Sequence, residues 1–139
     1  MPDRSRRLIA LVGALTFLDL ALWVAVVPLL PRWEEEAGLD KGQAGIVLAA
    51  YSLAIIVASL PVGYLVGRLG AKRLTAASTA VFAVTVALLP LAHGFAELVV
   101  VRFGQGLFSA VSWTAGLAWL LGSLPAARRT PALAVINSL

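Results

Sequence analysis

The 139-residue chain contains no cysteine, one histidine and only seven acidic side chains, and 13% of its residues are charged. Without cysteine there are no disulfides, no thiolate nucleophile and no Cys-based metal site. The lone histidine, His93, stands in the short connection Ala92-His93-Gly94 and reads as a solvated loop residue, so no metal is expected. No Ser/His/Asp set, phosphate loop or paired catalytic carboxylates occur either, so neither an enzyme nor a cofactor is expected. The scarcity of charge excludes a further class. A soluble domain carries about 25% charged and roughly 45–50% apolar residues. Here 60% are hydrophobic and the mean hydropathy is +0.94. A small fold cannot hide that much apolar surface in water, because its surface is large relative to its volume. Lipid is the solvent this composition fits.

What is present is a series of long apolar runs. A helix crossing the hydrocarbon layer needs about 20 mostly apolar residues, and residues 8–30, 44–66, 74–91 and 98–124 supply four such segments. The basic stretch before the first resembles the start of a signal peptide. The run is too long for an apolar core of about 7–15 residues, however, and Asp19 interrupts it. Pro28 and Pro31 close this first segment. Asp40 and Gln43 have the spacing of a capping box and start the second, which Gly67 and Gly70 end. A fifth helix begins near residue 130 and is cut off at Leu139. The expected class is an all-α integral membrane protein.

Lysine and arginine orient the helices, since they collect in cytoplasmic loops. Arg4, Arg6, Arg7, Arg68, Lys72, Arg73, Arg128 and Arg129 fall on one side, and only Arg32 and Lys41 on the other. Eight against two places the N-terminus in the cytoplasm and the acidic stretch Glu34-Glu35-Glu36 outside; a cell (plasma or inner) membrane is the expected location. The net charge of +4 thus sits at segment ends, as orientation requires, rather than on a nucleic-acid-binding face.

Two charges remain inside the membrane, Asp19 and Arg102. A charge at bilayer centre costs at least about 2.5–3.5 kcal/mol, so one without a partner or purpose is rare. Asp19 lies about 16 Å up its helix and Arg102 about 20 Å above the same edge, at 1.5 Å per residue. The two are therefore expected to approach each other. Burial disfavours a charged carboxylate and a nearby guanidinium favours it, so a change in their contact can load and unload a proton. A static pair joining two helices is the simpler alternative. Glu97 sits at the outer mouth of the fourth segment, where a helix N-terminus favours a carboxylate. Small residues four apart, in Gly45/Ala49, Ser59/Gly63/Gly67 and Gly106/Ala110, are expected to let helices pack closely. Trp33 fits the outer interface, while Trp23 and Trp113 lie deeper, where they line a cavity or pack.

Assembled in order, these residues resemble the N-terminal part of a major facilitator superfamily transporter, closest in pattern to drug or metabolite:proton antiporters. The turn after the second segment supplies Gly63, Arg68, Gly70, Lys72 and Arg73 of that family's loop motif, G-x-x-x-D-R-x-G-R-K/R, with Gly67 and Ala71 standing where charges are expected. Arg102, Gln105 and Gly106 meet its fourth-helix motif R-x-x-Q-G in full. Asp19 with Pro28 and Pro31 is similar to the first-helix pattern of drug exporters. The resemblance implies part of the N-terminal six-helix half of a twelve-helix fold with alternating access. It implies proton-coupled efflux of small molecules, with lipid, substrate and protons as partners, and a C-terminal half or another chain to complete the fold. Two other readings stay open: a small four-helix multidrug-type transporter acting as an oligomer, and a non-transporting scaffold subunit.

Overall fold

The computed structural model describes residues 2–137, and among them every regular element is helical. Helix α1 runs Pro2–Ala25, a 3-10 turn covers Val27–Leu29, and α2 covers Leu30–Glu36. Then follow α3 (Lys41–Leu69), α4 (Ala71–Leu88), a second 3-10 turn (Leu89–Leu91), α5 (Phe95–Ser123) and α6 (Ala126–Asn137). Four stretches of the described residues are long and apolar enough to cross a membrane: Ser5–Glu36, Lys41–Leu69, Ala71–Leu91 and Phe95–Ser123.

The first helix ends at Ala25, earlier than the residue 30 read from sequence. Pro28 and Pro31 each sit in the first turn of a new short helix, where a missing N–H costs nothing. The chain therefore steps out of α1 at Ala25 and continues. The capping box forms as its spacing predicts: Gln43 N–H donates to Asp40 Oδ1 at 2.8 Å, and Asp40 N–H donates to Gln43 Oε1 at 3.1 Å. Gly67 stays inside α3 instead of ending it. Gly70 alone makes the turn into α4, with φ of +82°, a backbone conformation that favours glycine. Helix α6 starts at Ala126, several residues before the sequence places a fifth helix.

Helix α5 is the hub, with α1, α3 and α4 all packed on it. Packing order gives direction. Val47 meets Leu98 while Ala58 and Val62 meet Ala110, so α3 and α5 run parallel. Ser78 meets Ser112 while Thr85 meets Gln105, and Val12 and Val26 meet Leu120 and Leu98, so α4 and α1 run antiparallel to α5. The start of α1, the α3–α4 turn and the start of α6 thus share one end of the bundle, and their arginines and lysines share it too. An apolar cluster closes each end. Val12, Leu120, Leu124, Ala132 and Ile136 form the one at the basic end; Val26, Trp33, Leu39, Val47 and Leu98 form the other. Trp33 is therefore packed in a core, and does not stand free at an interface. Around the outside, apolar side chains such as Leu60 (88% exposed), Ile56 and Val100 face outward, as a lipid-solvated surface requires.

The close approach of α3 and α5 uses a different face from the one read in the sequence. Gly45, Ala49, Ser59, Gly63 and Gly67 are all exposed, and a Cβ added at Gly45, Gly63 or Gly67 would meet open space. The buried ridge is Ala50, Ala54 and Ala58, one position off in register. Gly106 seats on it, and a Cβ there would collide with the Tyr51 carbonyl and lie 2.8 Å from Ala54 Cβ.

Candidate functional site

Between the two apolar clusters lies a buried polar layer. Val12, Thr16 and Asp19 occupy one face of α1 at helical spacing, and all three are buried. The same spacing on α5 turns Arg102, Ser109 and Trp113 toward α1 and α3, Gln105 lies beside Arg102, and α3 contributes Tyr51.

Asp19 anchors the layer. Ser109 Oγ donates to its Oδ2 at 2.5 Å, and Trp113 Nε1 donates to the same oxygen at 2.7 Å. Oδ1 has one contact, with Tyr51 Oη at 3.2 Å. The Tyr51 hydroxyl also lies 2.8 Å from Ser109 Oγ, and its single hydrogen has both acceptors to serve. The shorter contact makes a relay from Tyr51 through Ser109 to Asp19. A cleft of about 270 Å³ between α1, α4 and α5 reaches Asp19 with mostly apolar walls, among them Leu15, Leu18 and Phe82. A second space of about 20 Å³ beside Thr16, Asp19 and Ser112 is water-sized.

Arg102 is not paired with Asp19 as the depth arithmetic predicts. Helix packing brings both to the same layer, but Arg102 Nη1 donates to Gln105 Oε1 at 2.9 Å and its guanidinium lies over the Tyr51 ring, 4.7 Å from the centroid. Tyr51 touches both charged groups and stands in place of their contact. Arg102 is 2% exposed, and its Nε and Nη2 have no hydrogen-bond partner. Such groups cost more than a satisfied apolar side chain would. Arg102→Met is therefore expected to be at least as stable as the natural protein, the gain bounded by the roughly 2.5–3.5 kcal/mol charged for an intramembrane arginine. Thermal unfolding in detergent checks this, and a loss of stability would contradict it.

The remaining sequence-selected residues fall elsewhere. Gln105 Nε2 reaches the Thr85 carbonyl at 3.4 Å, and Gly106 lies at the α3 contact. Arg68, Lys72 and Arg73 are at the basic end, where Arg68 donates to Tyr64 Oη at 3.0 Å and stacks on its ring. Pro28 and Pro31 shape the opposite end. Glu97 accepts the His93 backbone N–H at 2.8 Å, completing the start of α5. Trp23 is exposed, whereas Trp113 binds Asp19. Tyr51 and Ser109 escaped the sequence reading. The signal available was a tyrosine in mid-span, whose hydroxyl needs a partner when buried.

Comparisons with known proteins agree with this architecture. The family model described as Major Facilitator Superfamily matches residues 9–139. An uncharacterised MFS-type transporter of Schizosaccharomyces pombe, C18.02, is 33% identical over 120 residues, which are 82% of this chain and 27% of that protein. The MFS-type transporter ppzB of Metarhizium majus is 36% identical over 107 residues, 73% of this chain and 23% of its own length. An uncharacterised MFS-type transporter of Shigella flexneri, YcaD, is 31% identical over 113 residues, 81% of this chain and 29% of its own. The chain thus spans about a quarter of the length of these relatives.

Proposed function

The chain belongs to the major facilitator superfamily, and from that premise we propose that it forms part of a secondary active, proton-coupled exporter of small molecules. Asp19 is the proton carrier and Arg102 its electrostatic partner. The carrying observation is a carboxylate buried in mid-span, with Ser109 and Trp113 fixing Oδ2 and Oδ1 left with a single long contact. Oδ2 is committed to its donors. Oδ1 is the oxygen with room to take and release a proton, and a water-sized space adjoins the Asp19 side chain.

On this reading transport, not catalysis, is the activity, in a cell membrane, with the N-terminus and the basic end of the bundle cytoplasmic. The single-residue turn at Gly70 then presents Arg68, Lys72 and Arg73 to the cytoplasm. The small four-helix transporter belongs to another family and is not carried further. A scaffold role leaves the buried carboxylate unexplained.

The test uses everted membrane vesicles from cells expressing the complete gene, energised to hold a pH gradient. A panel of amphipathic organic cations and neutral compounds is added in turn. At least one compound is expected to dissipate part of the gradient, and only in vesicles carrying the protein. A gradient indifferent to every compound, in vesicles shown to contain the folded protein, would reject proton coupling.

A further inference from the structure

One side chain touches both intramembrane charges. The Tyr51 ring covers the Arg102 guanidinium at 4.7 Å, and the hydroxyl at its far end is 3.2 Å from Asp19 Oδ1. Beneath the ring, Arg102 keeps two buried N–H-bearing atoms, Nε and Nη2, without acceptors. Buried donors are normally satisfied, and a charged one left unpaired is the costliest kind. Nε and Nη2 form the edge of a guanidinium that takes a carboxylate in a bidentate pair. The carboxylate nearest in the layer, Asp19, is held instead by Ser109 and Trp113. The arrangement holds an acceptor and its natural donor one aromatic ring apart.

We propose that Tyr51 is a positioning residue that keeps Asp19 and Arg102 apart in this conformation, and that withdrawal of its ring lets them close into a direct ion pair in a second state. The inference rests on Asp19 being the proton carrier. Three helices are involved: Asp19 on α1, Tyr51 on α3 and Arg102 on α5. The Tyr51 backbone is pinned by Gly106, so the ring moves by side-chain rotation while α3 and α5 stay in contact. Groups facing Asp19 from each packed element are Tyr51 from α3, Arg102, Ser109 and Trp113 from α5, Thr79 and Phe82 from α4, and Thr16 on its own helix. Tyr51 and Arg102 are the titratable ones among them.

The experiment is a coupling cycle on the complete protein in liposomes, read by infrared titration of the Asp19 carboxyl band, which is identified by its loss in Asp19→Asn. Arg102→Gln is expected to change the proton affinity of Asp19 only slightly with Tyr51 present. In a Tyr51→Ala background the same change is expected to be larger by about tenfold, because the two groups then touch. Tyr51→Phe keeps the ring and is expected to behave toward Arg102→Gln as the natural residue does. Where Tyr51→Ala does not fold by circular dichroism, Tyr51→Val takes its place with the same expectation. An equal effect of Arg102→Gln in every background overturns the spacer role and leaves Asp19 as carrier. A carboxyl band that never titrates overturns the carrier reading, and the spacer with it.

Discussion

Gly106→Leu is expected to yield no folded four-helix unit, and Gly106→Ala one weakened by about 3 kcal/mol, at the upper end of what overpacking costs. The reason is that the obstacle is backbone. An added Cβ at Gly106 runs into the Tyr51 carbonyl, which belongs to the middle of α3 and cannot rotate aside. The ordinary relief, a neighbouring side chain changing rotamer, is closed. Helices α3 and α5 must separate instead, and with them go the Ala50, Ala54 and Ala58 contacts. The loss is a large share of the roughly 5–15 kcal/mol that holds a typical domain folded. Thermal unfolding followed by circular dichroism in detergent measures it. Gly45→Ala is the control: space there is open, and the change is expected to stay within about 0.5 kcal/mol. A Gly106→Ala protein as stable as the natural one would show that the two helices are not in the contact described.

If Asp19 carries protons as proposed, Asp19→Asn is expected to leave the fold intact and lower proton-coupled transport by about a hundredfold or more, the span that positioned proton transfer usually supplies. The amide oxygen can still accept from Ser109 and Trp113, and the Tyr51 hydroxyl can accept from the amide nitrogen, because a phenol both donates and accepts. Packing and hydrogen bonding therefore survive while the proton site does not. The measurement is substrate-dependent proton movement in energised vesicles, with circular dichroism showing retained helix. Undiminished coupling in Asp19→Asn would remove Asp19 from the mechanism.

Several features were legible in the sequence because they follow from local rules. Span number came from run length, the start of α3 from Asp40 and Gln43, and the buried status of Asp19 and Arg102 from the cost of charge in lipid. The errors share another cause. A repeat of small residues every fourth position reports that a helix has a face for close packing, but α3 carries such a repeat on two faces. Glycine drew attention to Gly45, Gly63 and Gly67, while alanines one register away make the contact. Depth arithmetic placed Asp19 and Arg102 in one layer correctly. It could not place Tyr51 against both, because rotation of α3 about its axis is fixed only by that alanine ridge seating Gly106. A side chain's height follows from counting residues, and its azimuth from a neighbour.

The two apolar clusters at the bundle ends have an electrical consequence. Val12 and Val26 each stand seven residues from Asp19, the first about 10 Å along α1 and the second just past its end, so the carboxylate lies between two apolar layers. Membrane voltage falls across such layers and not across the solvated ends. If Asp19 carries protons as proposed, one reaching it from either side crosses about half the field, worth roughly 1 kcal/mol per 100 mV. Loading of the proposed carrier then depends on the membrane potential, and a change in voltage alone shifts it.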